Sequence, residues 1–200
     1  MIFEPVTLAG AYLIKLEPHG DERGSFARTM CSKEFAEHGM DSSFVQQNMS
    51  VTQFAGTIRG MHYQKPPHSE AKLIRCVRGA VLDVIVDLRA GSPTYMEHAS
   101  FHLDDKNRHQ LYIPTGFAHG FQTLADDVEM TYLMSKAHAP GTEAGLRYDD
   151  PVLGIDWPLP VAVIADKDLR WPLLRRNGAA IDINQATVAF EPSLGGTING

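Results

Sequence analysis

Cysteine is scarce in this sequence, with only Cys31 and Cys76 in a chain of 200 residues. A fold held together by several disulfide bonds is therefore excluded, and two free thiols are typical of a reducing compartment, although one disulfide would be possible. Long hydrophobic runs are also missing, since no apolar run approaches the ~20 residues that a membrane-spanning helix requires. The first residues, "MIFEPVTLAG", lack the basic and apolar regions of a signal peptide. We therefore expect a cytoplasmic protein.

Positive charge is in short supply as well. Lys and Arg total 18 against 24 Asp and Glu, which gives a net charge of −6. General attraction to nucleic acid or to an anionic membrane is thereby excluded, and an anion-binding site would have to be a local cluster of cations. The chain is long enough for one domain with a sizeable core. No internal repeat and no linker divides it, so we predict a single domain over residues 1–200. Within it, residues 174–200 form a C-terminal extension that is partly flexible.

Helical segments are few. Residues 32–39 form one candidate helix, with Ser32 as N-cap and Gly39 as its end, and residues 165–172 form a second short turn. The rest consists of β-rich runs at a spacing of about 8–12 residues with turn residues between them, which is typical of a sandwich or barrel. The predicted strands are 11–18, 44–54, 57–64, 72–79, 80–89, 95–103, 109–114, 116–125 and 128–135. This pattern predicts an all-β jelly roll.

Four polar side chains occupy strand positions that the two-residue period assigns to the apolar interior. They are Lys72, Asp83, His119 and Tyr132. Each by itself could be a hydrogen-bonded core residue, because a buried polar group is tolerated when it is paired. Several of them on neighbouring strands favour a cavity inside the sandwich that binds a ligand.

Arg59 and His62 also belong to a strand, but their odd separation would point them to opposite faces of a regular sheet. Gly60 lies between them. A glycine inside a strand often marks a bulge, and a bulge here would turn both side chains toward one cavity.

A metal site is an alternative that the sequence leaves open. The spacing Pro-x-Gly-x-x-His in "IPTGFAHGF" (113–121) resembles the second motif of the metal-binding cupins. The first cupin motif requires His-x-His, however, and the corresponding residues are His62, Tyr63 and Gln64. His68 and Glu70 lie at the wrong spacing to replace the missing histidine, so the ligand count falls short of a catalytic site.

Six segments, taken in order, closely resemble the dTDP-4-dehydrorhamnose 3,5-epimerase family. They are "GTIRGMHYQ" (56–64), "EAKLIRCVRG" (70–79), "VLDVIVDLR" (81–89), "GSPTY" (91–95), "LYIPTGFAHGFQTL" (111–124) and "YDDPVLGIDWPL" (148–159). The resemblance extends from about residue 2 to about residue 170. It implies a jelly roll, a homodimer, no cofactor and no catalytic metal. It also implies inversion of C3, C5 or both in a 4-keto-6-deoxyhexose carried on a nucleoside diphosphate, as in the conversion of dTDP-4-dehydro-6-deoxyglucose to dTDP-4-dehydrorhamnose.

The resemblance also implies roles for individual residues. His62 matches the base, Asp168 the carboxylate paired with it, Tyr132 the acid on the opposite face of the sugar, and Lys72 the cation near the keto oxygen. Further positions match residues that bind the diphosphate, the sugar or the nucleotide: Arg23, Arg59, His119, Gln46, Asn48, Glu143 and Lys167. Asp83 is predicted to lie behind these groups and to orient Lys72 or His119.

Two departures from the family pattern concern the nucleotide end. Arg28 stands where a Glu is common, and His138 stands in Ala-His-Ala-Pro where Tyr-Tyr-Ala-Pro is common. Arg28 would add a phosphate contact or change the base preference if it points into the site, and would do little if it points to solvent. Arg23 could serve its own site or that of a partner subunit.

Three other functions stay open at this point: an epimerase that inverts one carbon only, a sugar-nucleotide-binding jelly roll without activity, and a metal-dependent cupin. The prediction of a homodimer has one further basis besides the resemblance. The strand at 80–86 is more apolar than a small barrel needs.

Overall fold

Two sheets packed face to face make up most of the molecule, and the predicted jelly roll is confirmed. The computed structural model describes residues 1–177 and 180–182. Its strands are β1 (Ile2–Pro5), β2 (Tyr12–Lys15), β3 (His19–Asp21), β4 (Gly24–Phe26), β5 (Gln46–Thr52), β6 (Thr57–Gln64), β7 (Lys72–Arg78), β8 (Ala80–Asp87), β9 (His98–Asp104), β10 (Gln110–Ile113), β11 (Phe117–Thr123), β12 (Val128–Met134), β13 (Glu143–Gly145), β14 (Val163–Ile164), β15 (Arg175–Asn177) and β16 (Ala180–Asp182). The helices are α1 (Ser32–Glu37) and α2 (Asp166–Leu169). No helix in this part of the chain has the length and apolar character needed to span a membrane.

The first sheet has the strand order β1-β2-β10-β7-β12-β5, and the second has the order β13-β6-β11-β8-β9 with β14 added beside β6. Neighbouring strands are antiparallel, except that β14 runs parallel to β6. β5 is therefore an edge of the first sheet. The strands that were not predicted from the sequence are short. They form because neighbouring strands pair with them, and not because of a two-residue alternation of apolar residues in their own sequence.

All nine predicted strands are present, with ends that differ by a few residues. In the segment predicted as 95–103 the strand begins only at His98, because Met96 has a φ of +64°. The prediction of Ser32 as an N-cap was wrong. The N-cap is Cys31, which makes no capping hydrogen bond through its side chain. Gly39 follows the end of α1 with a φ of +71°, the left-handed conformation that favours glycine.

The main core lies between the two sheets, as the alternation of β7, β8 and β11 predicts. Ile74 and Cys76 project into it from the first sheet, and Val81, Ile85 and Phe121 project into it from the second. The polar residues singled out above share these inward faces. The fold therefore places them on the walls of the same interior, toward one end of the sandwich.

The outer face of β8 is covered by the chain itself. Val84 and Val86 pack against Leu146, Leu153 and Leu174, which come from the segments that follow the barrel strands. The apolar excess of residues 80–86 is thus explained by burial on both sides of one sheet, as is usual for a central strand. The apolar character of residues 80–86 was therefore the wrong basis for predicting a homodimer.

The last residue of β8, Asp87, is a buried carboxylate whose ionised form stabilises the fold. Asp87 is fully buried and accepts hydrogen bonds from Arg89, Ser92 and Thr94 at 2.5–2.8 Å. Burial on its own would raise the pKa of Asp87, but these donors outweigh it and lower the pKa to about 2. The ionised form is therefore favoured in the folded state. The contribution of Asp87 to the free energy of unfolding is present above the unfolded pKa of ~3.9 and is lost as the pH falls toward 2.

Asp87→Asn is accordingly expected to lower the free energy of unfolding by about 2 kcal/mol at pH 7. Urea unfolding of both proteins at pH 7 and at pH 3 measures this. The difference should shrink at the lower pH, because the wild-type carboxylate then loses its advantage. An equal difference at both pH values would mean that ionisation of Asp87 is not its cause.

Candidate active site

A cavity of about 480 Å³ opens between the two sheets. Its walls are formed by β5, β7 and β12 of the first sheet, by β6 and β11 of the second, and by the segment 163–168. The polar residues that line it are Asn48, Ser50, Thr57, Arg59, His62, Lys72, His119, Tyr132, Lys167 and Asp168. Four of them are cationic or histidine side chains of the strands, so the cavity suits an anionic ligand.

A bulge between β6 and β11 brings Arg59 and His62 to this cavity together. His119 pairs with His62, but Phe121 pairs with Arg59, so two residues of β6 stand opposite one residue of β11. The extra residue reverses the alternation of side chains between the two positions. The bulge predicted at Gly60 is confirmed.

Glycine is required at the bulge for two reasons. Gly60 has a φ of +130°, which other residues rarely adopt. A Cβ at this position would also lie 2.5 Å from the Cα of Gly120 on the neighbouring strand. The close approach of the two glycines lets the strands stay paired where the register changes.

His62 is hydrogen-bonded to a carboxylate that is distant in sequence. Its Nε2 lies 2.6 Å from Oδ1 of Asp168, whose side chain is only 2% exposed. Oδ2 of Asp168 accepts a longer bond from the main-chain N–H of Gly60, at 3.4 Å. A buried carboxylate in this position fixes the orientation of the imidazole ring.

The position of α2, which carries Asp168, depends on contacts that sequence reasoning missed. Arg147 donates a hydrogen bond from Nη1 to the carbonyl oxygen of Leu169 at 2.8 Å. Trp171 packs against Gly145, where a Cβ would lie 2.3 Å from the indole nitrogen. These residues belong to different segments, and no local motif indicates that they meet.

Tyr132 lies on β12, in the sheet opposite to that of His62. Its hydroxyl oxygen is 2.8 Å from Oγ of Ser50 on β5. Burial raises the pKa of Tyr132, and the hydrogen bond with Ser50 opposes this only in part. The phenol is therefore protonated across the neutral range and can donate a proton. Ser50 was not predicted, although its position on the inward face of 44–54 could have indicated it.

Lys72 and His119 each have a buried carboxylate behind them. Nζ of Lys72 lies 3.1 Å from Oε1 of Glu70, and Nε2 of His119 lies 2.8 Å from Oδ2 of Asp83. Burial raises the pKa of Asp83, while the charge of His119 and its hydrogen bond act in the other direction. Asp83 thus contacts His119, one of the two partners predicted for it.

Arg59 and Lys167 add positive charge to the cavity wall. Arg59 is oriented by a hydrogen bond from Nε to Oγ1 of Thr52 at 3.0 Å and by a longer one from Nη2 to the carbonyl oxygen of Val51. A guanidinium held in this way is suited to phosphate oxygens, which it matches in charge and geometry.

A chain of polar contacts continues from the cavity to its rim. Asn48 lines the cavity and accepts a hydrogen bond from Nε2 of Gln46 at 3.0 Å. Oε1 of Gln46 accepts a bond from the main-chain N–H of His138 at 2.9 Å, and Nε2 of His138 lies 3.2 Å from Oε1 of Glu143. The predicted residues Gln46 and Glu143 therefore sit beside the cavity and close to each other.

The sequence profile of the dTDP-4-dehydrorhamnose 3,5-epimerase family matches residues 5–176. The chain belongs to this family. The dTDP-4-dehydrorhamnose 3,5-epimerase of Sinorhizobium fredii is 41% identical over 175 residues, which are 87% of this chain and 90% of that protein. The dTDP-4-dehydrorhamnose 3-epimerase of Streptomyces niveus is 39% identical over 169 residues, 84% of this chain and 81% of that protein. A crystal structure of the 3,5-epimerase of Bacillus anthracis with TDP and PPi bound has a TM-score of 0.83 and 38% identity, covering 86% of this chain and 99% of that chain.

Two arginines expected at the substrate do not line the cavity of this single chain: Arg23, which the family resemblance assigned to substrate binding, and Arg28, a departure from the family pattern. Arg23 lies in the hairpin formed by β3 and β4, paired with Asp21, and its side chain is 84% exposed. Arg28 is paired with Glu34, with Nη1 2.8 Å from Oε1. A Glu at position 28 would instead repel Glu34, because both carboxylates would be negatively charged.

The alternative of a metal site finds no cluster to support it within residues 1–177 and 180–182, where no three His, Cys, Asp or Glu side chains are grouped to bind a metal ion. Nε2 of His119 is already hydrogen-bonded to Asp83.

The two cysteines, Cys31 and Cys76, are both free. Of the C-terminal extension predicted at 174–200, residues 174–177 and 180–182 are described and include the paired strands β15 and β16, while the rest lies outside the described residues.

Proposed function

We propose that the protein inverts the configuration at C3 and C5 of dTDP-4-dehydro-6-deoxyglucose, with no cofactor. The observation that carries the proposal is the arrangement of His62 and Tyr132. The two side chains come from opposite sheets and line one cavity, and His62 is backed by the buried carboxylate of Asp168. A proton can thus leave the sugar on one face and return on the other, which is what inversion requires.

His62 would act as the base. The hydrogen on its Nε2 is donated to Asp168, so the lone pair of the neutral ring is on Nδ1 and can accept the proton from the carbon beside the ketone. The imidazolium that results is stabilised by the carboxylate. Tyr132 would then donate its phenolic proton to the opposite face of the carbon.

The negative charge that develops on the keto oxygen must be stabilised during this reaction. Lys72 supplies a compact positive charge in the same cavity, and His119 supplies a hydrogen-bonding ring held by Asp83. Arg59 and Lys167 would bind the diphosphate, while Asn48, Gln46 and Glu143 would contact the nucleoside. The structure of the Bacillus anthracis relative contains TDP and PPi, which supports a nucleoside diphosphate as part of the substrate.

Proton NMR in deuterated water tests the function directly. With dTDP-4-dehydro-6-deoxyglucose as substrate, the signals of H3 and H5 should disappear and a product with both centres inverted should accumulate. Exchange at C3 alone would identify a 3-epimerase, the activity named for the Streptomyces niveus relative. Binding of dTDP without exchange at either carbon would overturn the proposal in favour of a non-catalytic binding protein.

The protein is further proposed to be a homodimer, which the exposed apolar residues of the edge strand β5 support. Met49 and Val51 are at least half exposed on it, and Phe26 of the β3–β4 hairpin is 75% exposed. An unpaired edge with apolar side chains is a surface that pairing with a second chain would cover. Light scattering should give a mass twice that of the 22.1 kDa chain, and a monomer at micromolar concentration would contradict this.

A dimer would also give Arg23 a function, because the exposed hairpin could reach into the cavity of the partner. Mixed dimers of Arg23→Ala and His62→Asn test this prediction. If Arg23 serves the partner subunit, each mixed dimer has one intact site, and random mixing restores about a quarter of wild-type activity. If Arg23 serves its own subunit, both sites of the mixed dimer are damaged and activity is not restored.

We also propose a cytoplasmic location, which the two free thiols support. Cell fractionation with an antibody to the protein would test it, and recovery in an extracytoplasmic fraction would contradict it.

A further inference from the structure

A buried carboxylate stands behind Lys72, outside the set of residues that line the cavity. Glu70 lies in the loop before β7, and its side chain is only 3% exposed. Its Oε1 is 3.1 Å from Nζ of Lys72, whose side chain is itself 9% exposed. Burial of two charges is costly unless they are paired and their remaining hydrogen-bonding atoms are satisfied.

The other oxygen of Glu70 is satisfied by Gln64, the last residue of β6. Nε2 of Gln64 donates to Oε2 of Glu70 at 2.8 Å and to the carbonyl oxygen of His68 at 3.0 Å, while its Oε1 accepts from the N–H of Ala139 at 2.8 Å. All the polar atoms of this amide are thus used. Glu70 is therefore held between a fixed amide and the ammonium, with little freedom to turn away.

The backbone on both sides of Lys72 is fixed as well. Ala71 exchanges hydrogen bonds with Ser135, through its N–H to the hydroxyl and through its carbonyl oxygen to the N–H of Ser135. Besides its ion pair with Glu70, the ammonium donates a hydrogen bond, at 3.4 Å, to the carbonyl oxygen of His62. A lysine ammonium has three donors, so these two contacts leave it able to donate to a ligand in the cavity.

We propose that Glu70 is a positioning residue for the reaction, which directs the ammonium of Lys72 at the keto oxygen and supplies its buried counter-ion. Glu70 acts through Lys72 and does not touch the sugar. The inference rests on the proposed function, because it needs a developing oxyanion beside Lys72. It assigns to Glu70 an effect on the rate of proton abstraction rather than on nucleotide binding.

Glu70→Gln is the sharpest test, because it keeps the shape of the side chain and removes its charge. An amide cannot offer oxygens to both Lys72 and Gln64, so the ammonium loses its counter-ion and its fixed direction. We expect kcat for deuterium exchange to fall by about tenfold while KM changes less than about twofold, since the lost interaction belongs to the transition state. A buried cation without its carboxylate is also more easily deprotonated, so the alkaline limb of the pH–rate profile should move to lower pH.

The other ionisable groups around Lys72 are unchanged in this variant. They are Arg59 and His62 on β6, Asp83 on β8, His119 on β11, Tyr132 on β12 and Asp168 on α2. A shift of the alkaline limb between wild type and Glu70→Gln therefore reports the loss of Glu70. Glu70→Asp provides a second variant that keeps a carboxylate, and its alkaline limb should stay at the wild-type position. If Glu70→Gln does not fold, Glu70→Asp still tests the direction of the ammonium. The test is then whether kcat changes more than KM in Glu70→Asp.

Asp87→Asn is the matched control, because Asp87 is also a buried carboxylate paired with a cation but lies away from the cavity. It should lose stability and keep the wild-type pH profile. A Glu70→Gln protein that is merely less stable, with kcat and the pH profile of wild type, would overturn the inference. Failure of the wild-type protein to exchange any hydrogen of the keto sugar would instead overturn the proposed function, so the two failures are distinguishable.

Discussion

His62→Asn is expected to slow the exchange of substrate hydrogen for solvent deuterium by at least about a hundredfold, the usual contribution of a general base. Asparagine keeps a polar side chain but cannot accept a proton from carbon near neutral pH. Its amide is shorter than the ring and does not replace Nε2, but Asp168 still accepts the hydrogen bond from the main-chain N–H of Gly60, so the buried carboxylate is not left without a partner. We therefore expect the fold and the position of α2 to be kept.

Nucleotide binding separates loss of the base from loss of the site. Calorimetric titration with dTDP should give a dissociation constant within a few-fold of wild type, because the proposed diphosphate contacts are made by Arg59 and Lys167. His102→Asn is the matched control. His102 forms a similar pair with Asp104, at 3.1 Å, on β9 and away from the cavity, and its replacement should leave exchange unchanged. Exchange at wild-type rates in His62→Asn would show that another residue is the base.

Tyr132→Phe is expected to have a different effect from His62→Asn. Without the phenolic proton the enolate can be reprotonated only from the side of His62, so deuterium should still enter the sugar while net inversion falls by about a hundredfold. The two rates are measured in one experiment, from the loss of the substrate signals and from the appearance of the inverted product in NMR spectra recorded in deuterated water. Equal loss of exchange and inversion would indicate that Tyr132 binds or shapes the site instead.

Tyr112→Phe is the control for removing a buried hydroxyl. Tyr112 lies in the core beside α1, where its oxygen accepts a bond from the N–H of Asp41 at 2.8 Å and burial raises its pKa to about 12. Its loss should cost about 1 kcal/mol of stability and leave inversion unchanged. The pKa of Tyr132 is also raised by burial. The phenol therefore keeps its proton through the neutral range, and loss of inversion by its ionisation is expected only above pH ~10, the value of a free tyrosine.

Much of the fold could be predicted because strand alternation is a local property. The inward positions of Lys72, His119 and Tyr132 follow from the apolar residues two places away on the same strand. The bulge at Gly60 could be predicted in the same way, from two functional residues of opposite parity with a glycine between them. The N-cap of α1 could not be predicted in this way. The predicted residue, Ser32, and the observed one, Cys31, are neighbours, and the exact end of a helix is set by the backbone conformation.

The roles of His62 and Asp168 were indicated by the family resemblance rather than by any period in the sequence. The two residues are 106 positions apart and meet only because β14 adds to the edge of β6 and leads directly into α2. The position of Arg28 illustrates the opposite case. Its departure from the family suggested a change at the nucleotide, yet its contact in this chain is with Glu34.

The all-β class, the nine longer strands, the inward polar residues and, through the motifs, the family could therefore be predicted from the sequence. The three-dimensional packing was needed to show that Asp83 contacts His119 and that Glu70 stands behind Lys72, whereas the pairing of Asp168 with His62 was already implied by the family resemblance. The three-dimensional packing also decided that β8 is covered on both faces by its own chain. The physical reason is that alternation depends on neighbours along one strand, whereas buried charge pairs and packed faces depend on the three-dimensional packing of segments that are separate in sequence.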